Sequence, residues 1–400
     1  MKILIITPYV GANYGGIAKV VQDIAIALGS QGFNIDLITT NANDAQKLDV
    51  VFNHWLDQGK YRIRYFDSWN KHDFILSLSL ITWLFKNINN YDIIHTHTIF
   101  SPLILITQWL CQRKKIPYLV TPHGMLEPWA LSYKSWKKNF YYNIFEKKAL
   151  QKASLIQVIA NLEADHVQSL GFKHYVIIPN GIDHNEFAFL SDPESFYQQF
   201  PQTRHKTLIL FLGRIDPKKG LDLLAPAFAR VHSQFPETHL VVAGPDNIGF
   251  LSTVERFFAE AKCLNAVTFT GMLTGKLKYA ALAAASLYIA PSYSEGFSMS
   301  VLEGMASGLS CIITTGCNFP EAATAKAALI VEPMADAIAD ALNYCLSHPQ
   351  EAKAMGNRAR EFILNNYTWE KSAKKLIDVY KFLLIKNSCQ NPSVNFSEKA

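Results

Sequence analysis

Short apolar runs rich in β-branched residues recur along the chain, each closed by Gly, Pro, Asn or Thr. In the first half they are Ile3–Ile6, Ile35–Thr39, Ile93–His97, Tyr118–Thr121, Leu155–Ile159 and Val176–Ile178. In the second half they are Leu208–Leu212, Leu240–Ala243, Val267–Thr270, Leu287–Ala290, Cys311–Thr314 and Leu329–Val331. Continuous apolar runs, rather than strict alternation, are the pattern of strands buried on both faces. Stretches with helical spacing lie between most of them, among them Ile17–Leu28, Trp136–Leu150, Leu221–His232 and Ser300–Ala306. Strand–helix alternation of this kind predicts an α/β fold with parallel sheets wound by helices.

The alternation breaks once, over the polar and aperiodic residues 184–206. The reading is therefore a Rossmann-like domain over 1–183, a linker over 184–206 and a second Rossmann-like domain over 207–366. A last helical stretch over 367–386 has no strand after it, and 387–400 is expected to be disordered. Four hundred residues agree with two domains rather than one core.

Composition narrows the class. A 49% hydrophobic and 18% charged chain is ordinary for a globular protein. The net charge of +5 suits anionic ligands or an anionic lipid surface, and lacks the clustered charge of a nucleic-acid binder. The six cysteines are scattered without a CxxC pair, which argues for reduced thiols rather than zinc or disulfides. No signal peptide or 20-residue apolar span is read, so a cytoplasmic protein, at most peripheral to the inner membrane face, is expected.

In open parallel sheets, ligands bind beyond the carboxyl ends of the strands, so polar residues that close the apolar runs carry the candidate chemistry. Phe211-Leu212-Gly213-Arg214-Ile215-Asp216-Pro217-Lys218-Lys219-Gly220 runs from a strand through a proline turn into a helix. Arg214 and Lys219 can meet one anion above that helix start, as a departing diphosphate requires. In Ser292-Tyr293-Ser294-Glu295-Gly296-Phe297-Ser298, Glu295 closes a loop and a helix begins at about Ser298, with Glu303 one and a half turns into it. Gly296 admits close backbone approach, the following amides suit phosphate, and Glu303 can accept both hydroxyls of a ribose. A solvated helix start with surface lysines for the first string, and an N-terminal helix charge at Glu295 with a surface Glu303 for the second, are the bland alternatives.

With these residues in view, the chain resembles the retaining glycosyltransferases of family 4, from Pro8 through Gly15–Gly16 to Trp369. The resemblance implies the GT-B fold: two Rossmann-like domains facing across a cleft, with the C-terminal helix returning to the N-terminal domain. It implies that Arg214 and Lys219 hold the donor diphosphate and that Glu303 holds the ribose. Glu295, Phe297 and Ser298 would meet the transferred sugar and phosphates, and Gly271–Met272 would hold the base. His123, in Thr121-Pro122-His123-Gly124, stands where relatives have a histidine that contacts the transferred sugar. Ser298 and Ser310 depart from the commonest pattern, which bears on sugar identity.

The Pro8–Gly16 loop, with Gly15 and Gly16, opens the first helix near an acceptor or phosphate, but its spacing is no dinucleotide fingerprint. His95 and His97 share one face by alternation and are left as acceptor-side or structural residues. A basic and aromatic face over Tyr133–Lys148 fits membrane lipid, or else a solvated amphipathic helix. No Asp-x-Asp occurs, so a metal-independent reaction is expected, without cofactor beyond a UDP-sugar or GDP-sugar donor. The function read is transfer of a hexose to a glycan or lipid-linked acceptor, within polysaccharide, lipopolysaccharide or glycolipid synthesis. A GT-B epimerase or hydrolase, or a small-molecule glycosyltransferase, remains the alternative.

Overall fold

A computed structural model describes residues 1–390 apart from 45, 72–73, 129–140 and 190. The chain divides into one unit of Met1–Asn180 with Trp369–Ala400, and a second of Gly181–Thr368.

In the first unit, β1 (Lys2–Ile6), β2 (Asn34–Thr40), β3 (Trp55–Asp57), β4 (Arg62–Phe66), β5 (Ile93–His97), β6 (Tyr118–Thr121), β7 (Leu155–Val158) and β8 (Tyr175–Ile177) form one sheet. Its order is β8-β7-β6-β5-β1-β2-β4-β3, parallel except where β3 runs antiparallel to β4. The helices of this unit include α1 (Gly16–Ser30), α2 (Leu78–Asn87), α3 (Pro102–Lys114), α4 (Lys147–Gln151) and α5 (Asn161–Ser169). Ala18, Val21, Ala25 and Leu28 are spaced at three to four residues and give α1 its buried stripe.

Strands β3 and β4 are absent from the sequence reading. In Arg62-Ile63-Arg64-Tyr65-Phe66 charged residues interrupt the apolar ones, so no continuous run marks this strand near the sheet edge. Arg62 is held by a two-pronged hydrogen bond to the buried Asp36, both bonds 2.9 Å long.

In the second unit, the expected linker carries α6 (His184–Ala188) and α7 (Glu194–Gln199). Phe187 and Phe196 from these helices lie in the unit's core, so 184–206 is part of the folded unit rather than a spacer. Helices of five and six residues are too short to leave a readable period. Strands β9 (Thr207–Leu212), β10 (Thr238–Ala243), β11 (Val267–Gly271), β12 (Leu287–Ala290), β13 (Ser310–Thr314) and β14 (Ala328–Val331) form an all-parallel sheet of order β11-β10-β9-β12-β13-β14. Around it lie α8 (Leu221–Gln234), α9 (Leu251–Glu260), α10 (Gly275–Ala284), α11 (Met299–Ala306), α12 (Glu321–Thr324), α13 (Ala335–Ser347) and α14 (Pro349–Asn366).

Helix α15 (Trp369–Gln390) belongs to the first unit and packs along α1. It continues through residues 387–390, which the sequence assigns to a disordered tail; the remainder of that tail lies outside the described residues. Its buried Ala373, Leu376, Ile377, Tyr380 and Leu383 recur with helical spacing. Tyr380 also joins a buried polar chain. Gln157 donates to the carbonyl of Ile178 at 3.0 Å, so its side-chain oxygen faces Thr121, whose hydroxyl donates to it at 3.0 Å. Thr121 then accepts from His95 Nε2 at 2.7 Å, and His95 Nδ1 accepts from the Tyr380 hydroxyl at 2.6 Å. A neutral His95 with its proton on Nε2 is the state that satisfies every member.

Burial, reinforced by His123, pushes His95 down to about 3. A base lowered in the fold and ordinary in the unfolded chain contributes stability above pH 6.5 that is lost as pH falls toward 3. His95→Gln is expected to remove this proton's share, at most about 1.4 kcal/mol per pH unit. Urea unfolding between pH 6.5 and 4 measures it. A stability loss equally steep in the variant and the parent would refute the assignment.

Candidate functional site

The strand order of the second sheet reverses between β9 and β12, and the crevice beyond such neighbouring strand ends is where α/β sheets bind ligands. After β9 comes Gly213-Arg214; after β12 comes the Ser292–Glu295 loop. Backbone bonds join the two segments, Tyr293 N–H donating to the Lys218 carbonyl at 2.8 Å. Gly220 lies between the Pro217–Lys219 turn and α8 with φ of 70°, and a Cβ there would sit 2.0 Å from the Pro291 carbonyl oxygen. Only glycine fits both the conformation and the space.

This approach brings Lys219 onto Glu295, and the two form an ion pair in ground where each side chain is about 10% exposed (11% and 9%). Ser292 Oγ donates to the same carboxylate at 2.8 Å, and Asn318 donates its amide to the Glu295 carbonyl. Burial alone would push the Glu295 carboxyl up; Lys219, Lys218 and the hydrogen bonds outweigh it and hold the group below its ordinary value. Burial lowers Lys218 below the ordinary lysine range, and Lys219 and Arg214 beside it act in the same direction. Arg214 itself has neither an ion pair nor a hydrogen bond among the described residues. Two lysines thus act on the Glu295 carboxylate, while Arg214 and Asp216 lie beside Lys218, so three cations meet two carboxylates at these strand ends.

Beyond Glu295, the half-buried Phe297 ring packs on an apolar cluster, stacked on Tyr367 and edge-on to Phe319. Ser298 occupies the position before α11; its hydroxyl bonds Ser300 at 3.1 Å and does not cap the helix. The first amides of α11 therefore have no side-chain cap. Glu303 lies in α11 and accepts from Lys278 of α10 at 2.6 Å. Gly304 follows because a Cβ there would sit 2.7 Å from the Tyr288 ring. Gly271 closes β11 with φ of 69°, its carbonyl accepting from Gly244 N–H at 2.8 Å, and Met272 beyond it is half exposed.

Lys219 and Glu295 are thus brought together with Arg214 beside the neighbouring Lys218, and Glu303 sits on the helix that follows the Glu295 loop. The sequence reading did not find Lys218, Lys278 or Asn318. Lys278, in Gly-Lys-Leu-Lys-Tyr, carries no signal distinguishing it from a surface lysine.

In the first unit, Gly15 takes φ 79° and ψ −145° ahead of α1, and Gly16 opens that helix at the surface. At the end of β6, His123 takes a left-handed φ of 56°, a conformation unusual for a non-glycine residue. The next amide, Gly124 N–H, donates to the buried Glu163 at 2.7 Å, and Ile159 N–H donates to its other oxygen at 2.7 Å. His123 Nε2 meets His97 Nδ1 at 2.9 Å, and the His97 and His95 rings lie 4.1 Å apart. Alternation along β5 did place His95 and His97 together; their link to His123 was not anticipated. Burial pushes His123 down to about 3 and His97 well below its ordinary value. In the basic aromatic stretch, Lys134, Trp136, Lys137 and Lys138 lie outside the described residues, whereas Tyr142–Glu146 forms a π-helical turn ahead of α4.

Comparison with known proteins agrees with this division. Residues 14–186 match the model described as Glycosyltransferase Family 4, and 194–362 match Glycosyl transferases group 1. The chain is 28% identical over 360 residues to mannosylfructose-phosphate synthase of Agrobacterium fabrum, covering 82% of this chain and 77% of that protein. It is 22% identical over 392 residues to phosphatidyl-myo-inositol mannosyltransferase of Propionibacterium freudenreichii, covering 95% and 94%. Among solved structures, sucrose-phosphate synthase of Thermosynechococcus elongatus superposes with a TM-score of 0.77 at 22% identity, over 96% of this chain and 100% of that one. The chain belongs to the family 4 glycosyltransferases and has their GT-B fold.

Proposed function

We propose that this glycosyltransferase moves a hexose from a nucleoside-diphosphate sugar to a hydroxyl of a glycan or lipid-linked acceptor, with retention of configuration and without a metal ion. The observation that carries the reading is the pair of Lys218 and Lys219 at Glu295 with Arg214 beside Lys218, and the uncapped start of α11 that follows the Glu295 loop. These groups are suited to a diphosphate whose charge rises as its bond to the sugar breaks. Glu303, held from one side by Lys278, has a second carboxylate oxygen for ribose hydroxyls. A UDP- or GDP-sugar is the donor class, and the base would lie by Gly271 and Met272. The anomeric carbon–phosphate oxygen bond breaks, the acceptor oxygen bonds that carbon on the same face, and the departing phosphate takes the acceptor proton. His123 and Glu295 contact the sugar. The relatives' names, a phosphatidyl-myo-inositol mannosyltransferase and a mannosylfructose-phosphate synthase, support a hexose and leave both lipid and soluble acceptors in play.

An exposed aromatic and basic surface supports the lipid-linked branch and a place at the inner membrane face. Phe85 on α2 and Trp109 on α3 are about half exposed, with rings 6.3 Å apart, and Phe145 is similarly exposed. Lys86, Arg113, Lys114, Lys148 and Lys152 are exposed on the same elements, and the acidic Glu146 among them is buried. Apolar rings rimmed by cations fit anionic headgroups.

Glu303→Ala is expected to weaken donor binding roughly 10- to 100-fold, the worth of hydrogen bonds to a charged group. Thermal shift against UDP, GDP, ADP and their sugars reads this loss and identifies the base; an unchanged shift would sink the role of Glu303. NMR of the product should show the donor's anomeric configuration, and inversion would overturn same-face transfer. Sedimentation with anionic vesicles should capture the protein at low salt, while neutral vesicles and Trp109→Ala with Phe145→Ala should not. Equal capture in all three cases would remove the membrane surface.

A further inference from the structure

His97 offers one ring nitrogen to His123 and keeps the other, Nε2, buried without a hydrogen-bond partner among the described residues. Burial disfavours a charge on either ring, and with both neutral the single bond between them has two arrangements. If His123 Nε2 carried the proton and donated, His97 would carry its own proton on Nε2, leaving a buried N–H with no acceptor. If His97 Nδ1 carries the proton and donates, what is left in the interior is a bare lone pair. Orphaned buried N–H groups are rarer and more costly than under-satisfied acceptors.

The surroundings keep His97 in this pose. Its ring lies against His95, which Tyr380 and Thr121 fix from both sides. His123 is fixed in turn by its left-handed backbone and by Glu163, which accepts the next amide. With Nε2 of His123 occupied as an acceptor, the remaining proton must sit on Nδ1, which has no partner among the described residues. We propose that His97 is a positioning residue whose Nδ1–H bond to His123 Nε2 holds His123 as a neutral Nδ1–H donor, aimed at an oxygen of the transferred sugar. The proposal rests on the reading that His123 meets that sugar. It assigns a task to a histidine that touches no substrate itself: a neutral imidazole otherwise divides its proton between two nitrogens, and only one choice donates outward.

Imidazole ¹⁵N NMR on the full chain tests the assignment directly, with the His123 signals identified by their loss in His123→Gln. A protonated Nδ1 and an unprotonated Nε2 are expected, and the reverse pattern overturns the proposal. Kinetics give a second readout. His97→Asn keeps an N–H near the Nδ1 position and should retain kcat within about threefold, whereas His97→Leu should lower kcat on the order of 10- to 100-fold with donor KM unchanged. Equal losses in the two variants would count against positioning by this bond. If His97→Leu does not fold, the NMR pattern of the parent protein still decides. Full activity of His123→Ala alongside a protonated Nδ1 would sink the sugar contact while leaving the tautomer assignment standing.

Discussion

Much of the second unit is arranged around an ionised carboxylate in a buried place. Removing Glu295 from water costs several kcal/mol, and such a charge persists only when partners surround it. Here Lys219 and Ser292 reach the carboxylate, Lys218 adds its field, and Asn318 and the Gly316 carbonyl hold the backbone at the same residue. These partners come from three strand ends, so the ion pair and the hydrogen bonds around it tie the ends of β9, β12 and β13 together. The glycines follow from that convergence. Gly220 lets the lysine turn pass the Pro291 carbonyl, and a Cβ on Gly316 would sit 2.3 Å from the Ser292 carbonyl oxygen. A pair this enclosed is weak evidence for stability, since apolar replacements often do as well. Its place at a topological switch point makes better sense as a preset electrostatic environment.

What was legible in the sequence follows from how each element is buried. The twelve apolar runs reappear as strands because both faces of a parallel sheet are covered, which erases polar alternation. Strand β4 escaped notice for the opposite reason: Arg62 and Arg64 interrupt its apolar residues, and Arg62 is tolerated by pairing with Asp36. The short helices in 184–206 escaped because five or six residues cannot display a period, and the buried Phe187 and Phe196 stand alone among polar neighbours.

The candidate site was legible where chemistry and local spacing coincide. Arg214 and Lys219 sit on one strand–turn–helix string, and Glu295 and Glu303 on another. Partners from distant segments were not. Lys278 reaches Glu303 from a different helix, and nothing about a lysine near a helix start announces that it will fold back over a neighbour. Likewise, period-two alternation put His95 and His97 on one face of β5, yet their bonds to Tyr380 and His123 depend on α15 and on the loop after β6, which alternation does not encode.

The two units also differ in the kind of polarity they bury. The second gathers ionised groups, each carboxylate matched to a lysine, at strand ends next to an uncapped helix. The histidine cluster of the first is neutral instead, because its rings lie too deep to take up a second proton and settle their hydrogen bonds by tautomer, unlike the Asp36–Arg62 pair elsewhere in that unit. That division fits glycosyl transfer as proposed here. A diphosphate leaving group gains full charge and needs fixed cations. A hexose offers hydroxyls, for which a neutral donor of defined direction suffices, and an imidazolium would compete with the developing positive charge at the anomeric carbon. Burial, costly for a charged imidazole, is in this proposal what keeps His123 in the useful state: desolvation removes the second proton, and His97 decides where the first one sits.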